Sequence, residues 1–137
     1  MTRSSRGPGP AASGKADLRR QRGDLGERAA EKYLRGAGMG IIARGFRFRG
    51  GEIDLIARDG DELVFVEVKT RSSDDFGNPV ESVTRGKRRK LIQAASFYLQ
   101  SRGIPQHPCR FDVISIRLLS DGASRLEHLQ DAFQSEN

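Results

Sequence analysis

The sequence predicts an α/β domain, a mixed central β-sheet with flanking helices, in the order α-β-β-β-α-β-β. Three observations predict it. Strand-like segments at residues 39–48, 52–58 and 63–69 are joined by the turn signals Gly50-Gly51 and Asp59-Gly60, which suit antiparallel neighbours. Two segments carry apolar residues at helical spacing. A β-branched, alternating segment at 111–118 follows the second of them, as in a strand reached by a crossover helix.

Residues 1–22 are expected to form a disordered basic tail, since Ser4-Ser5-Arg6-Gly7-Pro8-Gly9-Pro10 and Ala11-Ala12-Ser13-Gly14 offer nothing to bury. Helical spacing begins near Asp24, where Leu25, Ala29, Ala30, Tyr33 and Leu34 share a stripe that Gly36 and Gly38 end. Asp24 reads as the N-cap and Glu27 as its capping-box partner. The first three strands make a meander, and residues 71–78 a polar loop. Asn78-Pro79-Val80-Glu81 has the chemistry of a helix start. After a pause at Gly86, a helix is expected over 87–102, with Leu91, Ala94, Ala95, Tyr98 and Leu99 as its apolar face and Gly103 and Pro105 as its stop. A weaker strand at 125–129 closes the order. The domain is thus expected over 23–133, with residues 134–137 frayed and no internal repeat.

With 36% apolar and 31% charged residues in a chain of 137, the composition suits one soluble domain. No apolar run approaches the roughly 20 residues that span a bilayer, and no apolar stretch follows Arg3 and Arg6, so neither membrane insertion nor a secretory leader is expected. Cys109, the single cysteine, excludes an internal disulfide and fits a reducing cytoplasm. It reads as a small residue at a strand start. The net charge of +6 invites a nucleic-acid partner. Residues 1–22, however, hold six basic side chains against Asp17 alone, which leaves 18 basic and 17 acidic residues in the remainder. The charge therefore belongs to the tail, which suits either phosphate attraction or a solvated leader.

The chemistry concentrates in Glu52-Ile53-Asp54 and Glu67-Val68-Lys69. Strand alternation puts Glu67 with Lys69 on one face, and Glu52 with Asp54 on one face with Ile53 and Leu55 opposite. Hairpin pairing brings Asp54 near Glu67 at one end of the sheet. Leu55-Ile56-Ala57 and Leu63-Val64-Phe65-Val66 are nearly continuous apolar runs, as in strands covered on both sides. Charges in such strands must be paired or bind a metal. Two close carboxylates suit a hard cation such as Mg²⁺ or Mn²⁺, and the lysine suits orienting a water or stabilising charge on a phosphate. A Glu67–Lys69 ion pair with Asp54 in a turn network is the structural alternative.

Asp54 followed by Glu67-Val68-Lys69 resembles the PD-(D/E)XK signature of restriction-endonuclease-like nucleases. The chain is more closely similar to the YraN-like family of bacterial proteins, themselves similar to Holliday-junction resolvases. The segments that carry this are Gly26-Glu27-Arg28-Ala29-Ala30, Arg49-Gly50-Gly51-Glu52-Ile53-Asp54, Val64-Phe65-Val66-Glu67-Val68-Lys69, Phe76-Gly77-Asn78-Pro79, Arg110-Phe111-Asp112-Val113 and Ala132-Phe133. The superfamily's Pro-Asp element is absent, Ile53 preceding Asp54. The resemblance implies a restriction-endonuclease-like core and a metal-dependent endonuclease acting on DNA, with branched or damaged structures among its substrates. It implies Asp54, Glu67 and the Val68 carbonyl as metal ligands, Lys69 beside the attacking water, and Glu27 as a helical acid completing the site. Glu52 stands as a neighbour. A homodimer is implied as well, although no residue pattern identifies its face.

Lys87 lies four residues before Leu91 and seven before Ala94, so helical spacing turns it inward, toward a scissile phosphate. Arg47, Arg49 and Arg71 flank the same sheet end as candidate phosphate binders. Arg88 and Arg89 read as solvated, and His128 as structural. Few aromatic residues argue against extensive base stacking on single strands. The alternative to catalysis is a non-catalytic nucleic-acid-binding or interaction module of a DNA-processing complex that keeps the fold.

Overall fold

A computed structural model describes residues 14–72 and 83–134, with side chains described from residue 23 onward. Helix α1 (Gly14–Gly36) leads into three strands, β1 (Gly40–Phe48), β2 (Gly51–Asp59) and β3 (Glu62–Ser72). Helix α2 (Arg85–Ser101), β4 (Cys109–Leu118) and β5 (Ser124–Phe133) complete the order, so the predicted α/β class and succession of elements are observed.

The five strands form one sheet in the order β1-β2-β3-β4-β5. β1 to β3 are the predicted antiparallel meander. β3 and β4 run parallel, as a crossover through α2 requires, and β5 returns antiparallel. The sheet is therefore mixed, with its central strands β2, β3 and β4 dry on both sides. Phe65, Phe111 and Val113 pack with Leu91, Ala94, Ala95, Tyr98 and Leu99 of α2. Val64, Val66, Ile114 and Ile116 pack with Ala30 and Leu34 of α1. At roughly 25 cal/mol per Å² of buried apolar surface, these two layers supply most of the drive to fold.

Several boundaries differ from expectation. α1 begins ten residues before Asp24, so Asp24 is interior and its capping box with Glu27 does not exist. Residues 15–22 are rich in good helix formers but hold only Ala16 and Leu18 as apolar members, so periodicity had nothing to read there. Helix α2 includes Gly86 without a pause and is capped by Thr84, whose hydroxyl accepts the Lys87 N–H at 3.2 Å. The predicted helix start at 78–81, most of the loop at 71–78 and the frayed residues 135–137 lie outside the described residues. β3 continues through Ser72, where the loop had been expected from Arg71 onward. β5 runs four residues beyond the predicted 125–129 strand, because Phe133 stacks on Phe111 and buries there.

Gly26 sets the distance between α1 and the sheet. A Cβ there would collide with the hydroxyl of Thr70, so glycine lets the helix lie directly on β3. That close approach carries the next residue, Glu27, to the end of the sheet where Asp54 and Glu67 lie.

Candidate active site

The β2–β3 register runs from Asp59↔Glu62 to Leu55↔Val66, and its next step sets Asp54 beside Glu67. At that step the pairing gives way. The Val68 N–H donates to Asp54 Oδ2 at 2.8 Å, so a side-chain carboxylate takes the place of a strand carbonyl. The fork fixes the Asp54 carboxylate against the backbone of Val68.

One expectation about faces is corrected here. Ile53 packs in the α2 layer and Leu55 in the α1 layer, although strict alternation would put both on one side. The neighbouring strand switches at the same level. Arg44 reaches Glu31 of α1, while Phe46 packs toward α2. Between them Gly45, which the register sets opposite Asp54, adopts φ 62°, a left-handed conformation that glycine tolerates. Asp54 thus sits at a local twist of the β1–β2 ribbon, where side chains from both helix layers reach it. Glu27 of α1 and Lys87 of α2 both act on its charge.

Glu67 is only 2% exposed. Its Oε2 accepts a hydrogen bond from Lys87 Nζ at 2.8 Å, which realises the inward placement predicted for Lys87. Its Oε1 is buried and has no hydrogen-bond partner among the described residues. An orphaned carboxylate oxygen of this kind is costly unless something outside the chain satisfies it. Burial, then the Glu67 charge, then Glu27 push the Asp54 carboxyl up to about 8, against the opposing pull of the Val68 N–H and Lys87. Burial, then Glu52 and Asp24, raise Glu27 as well, while a hydrogen bond with Asp54 works the other way. For Lys87, burial favours the neutral amine, but the hydrogen bond and charge of Glu67 outweigh it and hold the ammonium above its ordinary range.

Asp54 and Lys87 stand in the wall of a cleft of about 530 Å³ between the Gly50-Gly51 turn and the first turns of α2, whereas Glu27 lines a separate hollow on the α1 side. Lys90, not singled out from the sequence, lines the same wall. Gly51 admits the helix, since a Cβ there would approach the Lys90 carbonyl to 3.1 Å. Lys69 is half-buried and has no ion-pair partner among the described residues; Glu67 pairs with Lys87 instead, so the Glu67–Lys69 alternative is not formed. Glu52 lies 3.7 Å from the exposed Arg47. Arg49 is exposed at the β1–β2 turn with φ 48°, its guanidinium over the Phe48 ring. Arg71, a candidate phosphate binder from the sequence, is buried, 8% exposed. Arg88 is tethered to the Val83 carbonyl and lies over Phe133, so it is not simply solvated. Among the described residues, no group of three or more His, Cys, Asp or Glu side chains is gathered closely enough to hold a metal ion as it stands.

A second polar cluster lies away from the cleft. Asp112 is fully buried and accepts from Arg110, from His128 Nε2 at 2.8 Å and from the Asp131 N–H at 2.9 Å. Arg110 also reaches Asp59 and Glu62 at the β2–β3 turn, and Tyr33 meets His128 Nδ1 at 3.1 Å. Burial would raise the Asp112 carboxyl, but these hydrogen bonds hold it below its ordinary range. Every described polar atom of Asp112 is satisfied, so the cluster ties β5 and the β2–β3 turn to β4. The sequence signal was a carboxylate and an arginine inside an apolar strand, but the His128 partner is long-range and left no local mark. Cys109 opens β4 half-buried, with its thiol pushed up by burial and by Glu62, which leaves it a poor nucleophile.

The model of the family described as "Uncharacterised protein family UPF0102" matches residues 26–116. A UPF0102 protein of Symbiobacterium thermophilum is 49% identical over 118 residues, which cover 86% of this chain and 100% of that protein. One of Hahella chejuensis is 50% identical over 81% of this chain and 88% of its own length. One of Clostridioides difficile is 44% identical over 83% of this chain and 97% of its own. No helix among the described residues is long and apolar enough to cross a membrane. The fold, with an acid on β2 beside a Glu-x-Lys on β3, resembles that of the PD-(D/E)XK nuclease superfamily.

Proposed function

The chain belongs to the UPF0102 family, and from its carboxylate cleft we propose that it is a divalent-metal-dependent nuclease that hydrolyses phosphodiester bonds in DNA. The observation that carries this reading is the orphaned Glu67 Oε1, buried beside an Asp54 whose affinity for a proton is raised. Two acids that share a desolvated site repel, and a hard dication held there would relieve the repulsion and supply a partner for the orphaned oxygen. Asp54 and Glu67 would hold Mg²⁺ or Mn²⁺, with the Val68 carbonyl as a third ligand and Glu27 approaching from α1. When bound, the ion supplies charge stabilisation at the phosphate and a more acidic water.

The chain's own residues supply the rest. Lys69, on the Glu67 side of β3, orients the attacking water. Lys87, which reaches into the cleft beside Glu67, would meet a phosphate oxygen there, and Lys90 extends the same cationic wall. Arg47 and Arg49, both exposed, would meet the strand at the turn.

A second reading has its own support. With Lys87 already neutralising Glu67 and no three-ligand group preformed, the chain could keep the fold as a non-catalytic nucleic-acid-binding or interaction module. Calorimetric titration with Mn²⁺ separates the two. The nuclease reading expects saturable binding to the natural chain and its loss in Asp54→Asn; absence of binding to either protein favours the module.

A further inference from the structure

The aromatic residues are few, yet three of them gather beside the cleft, two partly buried and one exposed. Phe97 of α2 stacks on Phe48 of β1, with ring centroids 4.2 Å apart and planes 14° from parallel. Phe46 lies 6.3 Å from Phe97, tilted by 27°. The stack is not closed over, because Phe97 is 44% exposed. The Arg49 guanidinium lies 5.3 Å from the Phe48 centroid, at the side of the stack away from Phe97's open face.

This patch is continuous with the carboxylate cleft. Phe48 pairs with Gly51, and Gly50-Gly51 forms the cleft's rim. Both sites lie on the α2 side of the sheet, joined by one stripe of that helix. Lys90 and Phe97, seven residues and about two turns apart, share one exposed line of the helix, so a cation at the cleft end leads to the aromatic ring at the other. Along β2, Gly51 is three residues from Asp54, roughly 10 Å at strand rise. That is about three steps of a nucleic-acid strand at 3.4 Å each. An apolar residue exposed at random needs no explanation. Parallel rings with an arginine against one of them are different, because base stacking on aromatic rings with guanidinium support is how unpaired strands are held.

We propose that Phe48, Phe97 and Arg49 form a stacking platform for an unpaired nucleobase, which holds a single-stranded segment within a few nucleotides of the bond at Asp54. This deepens the nuclease reading and rests on it for the position of that bond. It names the substrate class as nucleic acid with an unpaired stretch, in preference to an uninterrupted duplex. Arg47 and Arg49 meet the phosphates that flank the stacked base, and the run of cations on α2 carries the strand toward the cleft.

The test is fluorescence anisotropy of the full chain with a labelled twenty-nucleotide thymidine strand and a twenty-base-pair duplex, in EDTA so that nothing is cut. Phe97→Leu keeps an apolar cover but removes the π-face, and Phe97→Trp restores it. The expected result is a loss of about tenfold or more in affinity for the single strand with Phe97→Leu. Phe97→Trp should bind as tightly as the natural chain, and duplex binding should change by less than about twofold. Unchanged single-strand binding in Phe97→Leu overturns the proposal, as does an equal loss on both probes or failure of the natural chain to bind the single strand. Asp54→Asn separates the two readings: it should abolish metal-dependent cutting, while Phe97→Leu made in that background should still lower thymidine-strand affinity about tenfold. A chain that cuts but shows no Phe97 effect keeps the nuclease reading and loses the platform.

Discussion

Lys87 Nζ stands 2.8 Å from Glu67 Oε2, while the other oxygen of the same buried carboxylate meets no partner. The lysine satisfies half of an acid that its strand had to carry into a dry layer. It comes from α2 and so ties that helix to β3 through a charge. A dication at Glu67 would compete with it, which links metal uptake to the position of the α2 cations.

Lys87→Met should therefore lower stability and strengthen metal dependence together. Without its partner Glu67 is an uncompensated buried acid, a loss that costs about 3 kcal/mol in comparable sites. The melting temperature in EDTA should fall by several degrees. Added Mn²⁺ should raise it further in the variant than in the natural chain. An equal metal-induced rise in both proteins would mean that Lys87 and the metal do not share Glu67.

The proton on Asp54 makes a prediction with a definite sign. Burial and the Glu67 charge raise its carboxyl from an ordinary 3.8 to about 8. Between those values the folded state holds the extra proton, so this group's contribution to stability declines as pH rises and is lost above about 8. In EDTA, Asp54→Asn should melt higher than the natural chain by about 5 °C at pH 8.5, with the gap narrowing toward pH 5. Metal must displace the same proton, so affinity in the natural chain should climb about tenfold per pH unit below 8 and then level. Titrations in two buffers of different ionisation enthalpy would count that proton at pH 7.

Gly26→Ala tests how α1 delivers Glu27. The new methyl meets the Thr70 hydroxyl, so the helix or the strand must move. A loss of about 1–3 kcal/mol is expected in denaturant unfolding. Thr70→Ala should recover part of it, and a double-mutant cycle would show the coupling. Strictly additive effects would place the strain elsewhere.

Asp112→Ala removes the acceptor shared by Arg110, His128 and the Asp131 N–H. Unfolding should become easier by about 3 kcal/mol or more, through a stranded arginine and a lost anchor for β5. The depressed Asp112 carboxyl contributes stability above its unfolded value, lost as pH falls through its folded value, so the natural chain should lose this contribution in acid and the variant should not. Binding of Mn²⁺ should survive, because the cluster lies outside the cleft.

Much of this was legible before any coordinates. Turn residues at Gly50-Gly51 and Asp59-Gly60 fixed the meander, and its register placed Asp54 beside Glu67. The spacing of Lys87 to Leu91 and Ala94 turned that lysine inward correctly. What escaped depended on tertiary geometry. Alternation assumed an even ribbon, so the switch at Gly45 and Asp54, which lets both helices reach one carboxylate, could not be anticipated. The first turns of helix α1 carry too little apolar pattern for a periodicity to register, so the sequence shows the helix only from Asp24. Phe46, Phe48 and Phe97 looked sparse along the chain, and only packing of β1 against α2 assembles them. His128 had a clear local reading as structural, but its partner Asp112 is sixteen residues away on the neighbouring strand.

Metal-dependent cutting tests the central claim most directly. The natural chain, incubated with end-labelled DNA carrying both paired and unpaired stretches, should cleave it in Mn²⁺ or Mg²⁺ and not in EDTA. Asp54→Asn and Glu67→Gln should each reduce the rate at least a hundredfold while remaining folded. Equal cutting by the natural chain and both variants, or no cutting by the natural chain in either metal, would contradict the account.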